Sequence, residues 1–274
     1  MKVKLAESLG FCPGIRRAIA AAQANPGAVI AGGEILHNPL ETARLAREYG
    51  ISTAENPDNI GPGATAIIRA HGLPKSVEGR LRGRVANVTD ATCPFVKRVQ
   101  NLVSRLDAEG FRIIIYGDAE HPEVRGLASY ARDPIIAMSP ADLPSEMPRK
   151  AALVSQTTKS RAGFEEFAEA LRATVGELSA HNTVCPASTA NQAAVEKLAR
   201  EADVVVIVGG KNSSNSRQLV ETAAKYCDAY LAESKNDVDK AWFCGKKLCG
   251  LGAGASTPDY AIDAIKRKIE ETNA

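Results

Sequence analysis

The segment Asp90-Ala91-Thr92-Cys93-Pro94-Phe95 contains a Cys-Pro pair that occurs twice more, in Phe11-Cys12-Pro13 and Val184-Cys185-Pro186. The intervals from Cys12 to Cys93 and from Cys93 to Cys185 are 81 and 92 residues. Each pair precedes a helical pattern: GIRRAIAAAQA, FVKRVQNLVSRLDAEG and ASTANQAAVEKLAREA. Proline suits the first helical position, because its missing N–H would have no intrahelical partner there. The cysteine before it is therefore expected at a helix N-terminus, where the dipole favours a thiolate.

The repeat continues past the helices. A short apolar run follows each one: AVIAGG, RIIIYG and VVVIVGG. Runs of this length, rich in β-branched residues, read as buried parallel strands. They end in polar loops carrying Glu34 and His37, then His121 and Glu123, then Lys211-Asn212-Ser213-Ser214-Asn215-Ser216. A later run in each repeat, ATAIIRAHG, AALVSQTT and KKLCGLGAGAS, ends at His71-Gly72, Thr157-Thr158 and Gly254-Ala255-Ser256. The strands leading into the cysteines are KVKLAES, RVANVTDA and ELSAHNTV. The chain thus reads as three copies of one α/β unit, residues 12–93, 94–184 and 185–274, with an N-terminal strand within 1–11 packing on the third. Strands alternating with helices imply small, mainly parallel sheets. Three equivalent turns would converge if the units stood in pseudo-threefold fashion around an axis. Ligand-binding residues of such sheets gather at the carboxyl ends of the strands, which here carry three Cys, three His, a Glu and a Ser/Asn cluster.

Composition bounds the function. Of 274 residues, 45% are hydrophobic and 24% charged, which supports a folded core and excludes disorder as the main state. Aromatics are only 5%, so the core must be built mainly from Ala, Val, Ile and Leu. A net charge of +2 argues against a nucleic-acid or membrane-surface binder. No apolar run approaches the roughly 20 residues of a membrane helix. The opening MKVKLAESLGFCPG lacks the apolar stretch of a secretory leader, so a cytoplasmic location is expected. Disulfides are not expected there.

Cys227, Cys244 and Cys249 have no polar motif around them and read as small buried apolar residues. A Cys244→Ser change is therefore expected to cost about 1–2 kcal/mol of core packing. Cys12, Cys93 and Cys185 are different, because three thiolates at one point need a metal to offset their charge. Structural zinc wants four ligands, commonly in CxxC pairs, and the chain has no CxxC. Two options remain: a catalytic zinc with an open position, or an iron–sulfur cubane with one iron lacking a protein ligand. An all-cysteine set favours the second.

Three of the four histidines, His37, His71 and His121, close strand-like runs, which points to a shared anionic ligand; His181 reads as structural or surface. Ser213, Ser214 and Asn215 offer hydroxyls, amides and backbone N–H groups at a helix start, an anion cradle without excess charge. Ser256 lies in a second loop of small residues that allows close backbone approach. Glu123 is the one carboxylate in this constellation, placed to donate or relay a proton. Thr157 could assist it by hydrogen bonding.

Taken in order, GFCPGIRRAI, GEILHNP, RAHGLP, DATCPFV, HPEVRG, SQTTKS, GGKNSSNS and AGASTPD resemble the 4-hydroxy-3-methylbut-2-enyl diphosphate reductase family nearly end to end. The resemblance implies three α/β units around a central [4Fe–4S] cluster held by Cys12, Cys93 and Cys185, with one iron lacking a protein ligand and facing the substrate. It implies that His37, His71, His121, Ser213, Ser214, Asn215 and Ser256 bind an allylic diphosphate, that Thr157 lies near its hydroxyl, and that Glu123 delivers protons. It also implies reductive dehydroxylation to isopentenyl or dimethylallyl diphosphate, with single electrons from ferredoxin or flavodoxin. The pattern departs at Cys185-Pro186-Ala187-Ser188-Thr189-Ala190-Asn191-Gln192, where Asn191 stands in place of the family's usual arginine and Ser188 in place of a common threonine. That departure keeps in view a diverged paralogue reducing another allylic or phosphorylated alcohol; a non-enzymatic iron–sulfur redox sensor is the separate, non-enzyme alternative.

Overall fold

Strand β1 (Lys2–Leu5) leads through a loop into helix α1 (Pro13–Gln23). The chain continues through β2 (Val29–Ala31), α2 (Pro39–Tyr49), β3 (Ser52–Ala54), β4 (Thr65–Ile68), α3 (Lys75–Arg84) and β5 (Asn87–Asp90). The next stretch holds α4 (Pro94–Ala108), β6 (Arg112–Tyr116), α5 (Pro122–Ala128), β7 (Ile135–Ala137), β8 (Lys150–Ser155), α6 (Arg161–Arg172) and β9 (Glu177–Ala180). The last holds α7 (Pro186–Ala199), β10 (Val204–Val208), α8 (Ser214–Ala223), β11 (Asp228–Ala232), β12 (Leu248–Ala253) and α9 (Asp259–Thr272). These elements come from a computed structural model that describes residues 1–272.

The strands form three four-stranded sheets in the orders β3-β2-β4-β5, β7-β6-β8-β9 and β11-β10-β12-β1. Every pairing among the described residues is parallel. The order is the same each time: second strand, first, third, fourth. In the third sheet the fourth place is taken by β1, with Lys2 opposite Leu248 and Leu5 opposite Leu251. By compactness the chain divides into two units. One comprises Met1–Ile15, His37–Glu41 and Pro186–Ala274 and holds the β11-β10-β12-β1 sheet. The other comprises Arg16–Leu36 and Thr42–Cys185 and holds the remaining two sheets.

The central strands are apolar throughout because helices cover both their faces. In the first unit, Val204, Val206 and Val208 pack with Ile262, Ile265 and Ile269 of α9. Val205 and Ile207 point the other way, onto Val195 and Leu198 of α7 and Leu219 of α8. In the second unit, Ile113, Ile115 and Val154 meet α4 and α5 through Val99, Val103, Val124 and Leu127. Ile114 and Leu153 meet α6, where Phe164, Phe167 and Leu171 fill the layer. At about 1.5–3 kcal/mol for each fully buried aliphatic side chain, these layers dominate the stabilisation. The fit is close on β12, where a β-carbon on Gly250 would come within 2.7 Å of Leu198 Cγ.

Nine of the twelve strands among the described residues coincide with runs read from the sequence. The edge strands β3, β7 and β11 do not: they are three to five residues long and partly exposed. The second set of cysteines also needs correcting. Cys249 is buried, but Cys227 is only partly buried and Cys244 is exposed, because Cys244 caps a short turn after Phe243, and it is the phenylalanine that enters the core.

Candidate active site

The three Cys-Pro cysteines share one backbone arrangement. Cys93 N–H donates to Ala70 O at 2.9 Å, Cys185 N–H to Thr157 O at 2.9 Å, and Cys12 N–H to Ala255 O at 3.2 Å. Each acceptor lies in the loop after the third strand of its repeat: β4, β8 or β12. The proline that follows starts helix α4, α7 or α1. Each thiol is thereby set at a helix N-terminus beside the carboxyl end of a parallel strand. Cys93 is itself the N-cap of α4 and makes no capping bond with its side chain. None of the six cysteines forms a disulfide.

The first unit holds Cys12, His37, Ser213, Ser214, Asn215 and Ser256. The loops after β10 and β12 build the cradle. Ser213 caps α8 by accepting from Ser216 N–H at 3.3 Å. Thr257 hydroxyl donates to Val208 O at 2.9 Å and ties the two loops together. Glycines let the backbone close in: β-carbons on Gly209 and Gly254 would both collide with the Ser216 hydroxyl. A β-carbon on Gly210 would stand 2.5 Å from the His37 carbonyl, so His37 is brought against the serine loop. Asn38 Nδ2 donates to Ser256 O at 3.0 Å, which joins the His37 turn to the second loop. Asn215 is 5% exposed, and neither its Nδ2 nor its Oδ1 has a partner in the protein. A buried amide in that state calls for a ligand, and an anion suits a helix N-terminus.

The second unit holds His71, Cys93, His121, Glu123, Thr157 and Cys185. His121 is the N-cap of α5, its Nδ1 accepting from Glu123 N–H at 3.2 Å, so the ring presents Nε2 outward from the turn. The rings of His71 and His121 meet edge to face with centroids 5.4 Å apart. Glu123 Oε1 accepts from Thr157 N–H and Oε2 from Thr157 hydroxyl, both at 2.7 Å. Burial pushes the Glu123 carboxyl up from its ordinary range, and the two Thr157 bonds oppose that without cancelling it. Gln156 sets the loop: it accepts from Asp118 N–H at 3.1 Å and donates to Thr158 Oγ1 at 3.1 Å.

Two residues were given no site role from the sequence. Thr158 follows the acceptor Thr157 just as His71 follows Ala70 and Ser256 follows Ala255, so it occupies the equivalent place in the second sheet. Aligning the three repeats on the cysteine contacts would have found it. Gln156 acts only through other loop residues, which no motif advertises. His181 lies apart from these loops; its Nε2 and the Ser179 hydroxyl are 2.9 Å apart, in keeping with a structural histidine. Asn191 acts locally. Ser8 hydroxyl donates to its Oδ1 at 2.5 Å, so α7 steadies the loop that leads to Cys12.

Each of the three thiols thus stands at a helix start and none is in a disulfide. No helix among the described residues is long and apolar enough to cross a membrane.

Residues 3–270 match the LytB protein family. A 4-hydroxy-3-methylbut-2-enyl diphosphate reductase of Helicobacter hepaticus is 44% identical over 273 residues, 99% of this chain and 100% of that protein. The enzyme of the same name from Wolinella succinogenes is 42% identical, over 98% of this chain and 99% of its own. A solved structure of (E)-4-hydroxy-3-methyl-but-2-enyl diphosphate reductase, described as the terminal enzyme of the non-mevalonate pathway, superposes with a TM-score of 0.70 at 36% identity, over 98% of this chain and 99% of that one. A second, the E-1-hydroxy-2-methyl-but-2-enyl-4-diphosphate reductase from Plasmodium falciparum, gives 0.90 at 25% identity, over 97% and 86%.

Proposed function

The chain belongs to the LytB protein family, and from that premise we propose that it reduces (E)-4-hydroxy-3-methylbut-2-enyl diphosphate to isopentenyl and dimethylallyl diphosphates in the cytoplasm. The overall change consumes two electrons and two protons, breaks the allylic C–O bond and releases water. Cys12, Cys93 and Cys185 are the thiolates of a [4Fe–4S] cluster whose fourth iron has no protein ligand. When bound, that cluster supplies a Lewis acid for the substrate hydroxyl and a store for single electrons from ferredoxin or flavodoxin.

The protein's own residues do the rest. Ser213, Ser214, Asn215 and Ser256 receive the diphosphate with backbone N–H groups and neutral donors, while His37, His71 and His121 add imidazole donors. This fixes the chain end and leaves the hydroxyl end to be oriented. Thr157 and Glu123 take that end. Burial raises the Glu123 carboxyl and so favours its protonated form, and Thr157 fixes the direction in which the carboxyl points. The observation that carries this reading is the Glu123–Thr157 pair: a buried carboxyl, raised and gripped, at the strand ends beside Cys185.

The test is anaerobic turnover with the diphosphate, dithionite and a mediator, followed by product analysis. Brown protein with about four irons per chain, forming both isomers, is expected. Colourless protein that binds one zinc tightly, or iron-loaded protein that leaves the diphosphate unchanged, overturns the proposal.

A further inference from the structure

Helix α4 begins just after Cys93 and carries Gln100 on the face turned to the interior. The side chain is 1% exposed, yet neither Nε2 nor Oε1 has a hydrogen-bond partner in the protein. An amide buried in this way is costly, whereas an apolar side chain of the same length would fill the space without loss. Costly polar groups in otherwise well-packed cores concentrate at functional positions.

The surroundings show what the amide serves. A β-carbon on Gly72 would stand 2.7 Å from Gln100 Nε2 and 3.3 Å from Thr92 Cγ2. Gly72 has φ +77°, so the turn after His71 needs glycine both for its backbone and for the room. On the other side, a β-carbon on Gly126 of α5 would be 3.7 Å from Gln100 Nε2 and 3.7 Å from the His71 carbonyl. The amide is therefore wedged between the His71–Gly72 turn, the residue before Cys93, and the helix that starts with His121 and Glu123. It carries two donors and an acceptor oxygen at the junction of these three elements.

We propose that Gln100 is a positioning residue: its amide restrains the His71–Gly72 turn against α4 and α5, and so sets the direction of the His71 ring and the affinity for the diphosphate. The inference rests on His71 as a diphosphate ligand in the reaction above. Gln100 acts through the turn and does not itself touch the substrate.

Gln100→Met keeps length and volume and removes both polar atoms. In the iron-loaded enzyme it is expected to melt no lower than wild type and to hold the same iron. Its KM for the allylic diphosphate is expected to rise about tenfold with kcat within about twofold, the signature of a displaced binding group. Gln100→His restores a donor and an acceptor, and its KM is expected to return to within about twofold of wild type. A second readout is independent of turnover. With only four histidines in the chain, their imidazole ¹H–¹⁵N resonances are separable, and His71→Asn assigns one of them. The His71 signals are expected to move in Gln100→Met while those of His181 stay. Unchanged KM together with unmoved His71 resonances in Gln100→Met overturns the proposal. If Gln100→Met fails to load iron, Gln100→His decides alone: near-wild-type KM and His71 signals support the proposal, and a tenfold rise in KM with intact iron overturns it. Wild-type enzyme that loads iron but does not consume the diphosphate overturns only the functional assignment, and the imidazole spectra still judge Gln100.

Discussion

Thr157 gives Glu123 both of its polar hydrogens, backbone N–H to Oε1 and hydroxyl to Oε2, each over 2.7 Å. One residue of a strand-end loop thus fixes the carboxyl of another element in position, plane and hydrogen bonding. Both bonds favour the ionised carboxyl, and burial favours the neutral one more strongly. The net displacement is upward.

Glu123→Gln follows directly. A carboxyl whose folded pKa exceeds its unfolded value, about 4.3, binds more protons folded than unfolded between those two points. Its contribution to stability is complete below the unfolded value and is lost as pH rises through the folded one. Glutamine removes this loss, so the variant is expected to match or exceed the wild-type melting temperature at pH 8, while turnover falls about 10²–10⁴-fold. Melting curves at pH 5 and pH 8 beside initial rates check both halves. A variant that melts lower at pH 8 contradicts the sign.

Thr157→Val keeps the N–H and removes the hydroxyl. One of the two downward influences on Glu123 disappears, so the carboxyl rises further. The limb of the pH–rate profile that Glu123 governs is expected to move to higher pH, with a rate loss of about tenfold from the freed orientation. Profiles of kcat for both enzymes measure it, and coincident limbs would remove Thr157 from this role.

Asn215→Ala tests the anion cradle. Both orphaned amide atoms vanish, so the free protein is expected to gain up to about 1 kcal/mol, offset in part by the small cavity. Calorimetric affinity for inorganic diphosphate is expected to fall about tenfold or more, since a hydrogen bond to a charged group is worth roughly 1.5–3 kcal/mol. Undiminished affinity would exclude Asn215 from the cradle.

The cysteines should separate into two sets. Cys93→Ser is expected to lower iron content and activity together; iron at wild-type level would refute the ligand assignment. Cys244 is exposed, so Cys244→Ser is expected to stay within about 0.5 kcal/mol of wild type instead of bearing a packing cost. Iodoacetamide followed by mass spectrometry should label Cys244 first among the second set. Cys249 should react last, because burial pushes its thiol up to about 12.

How much of this was legible in the residues depends on whether a feature leaves a local signal. The valine run 204–208 announces a doubly covered strand, and the three Cys-Pro pairs announce helix starts, because apolar continuity and proline at N1 are written in adjacent residues. Edge strands β3 and β7 have three residues each and need a neighbour to define them. Thr158 has significance only through its equivalence with His71 and Ser256, and Cys244 is exposed because Phe243 takes the inward place. Gln100 was invisible for the opposite reason. A polar residue within VKRVQNLV reads as one more solvent-facing position until the turn at Gly72 is laid over it.

Strand β1 completes the third sheet by pairing with β12, so Lys2 must find Leu248. During synthesis those partners leave the ribosome far apart in time. At about 5–20 residues per second, the first strand emerges roughly 12–50 s before its partner exists. The two sheets between Arg16 and Cys185 have all their strands long before then and are free to fold in chain order. The third sheet closes last. Cys12, carried just behind the waiting strand, is therefore the first of the three thiols to be made and the last to have its backbone secured.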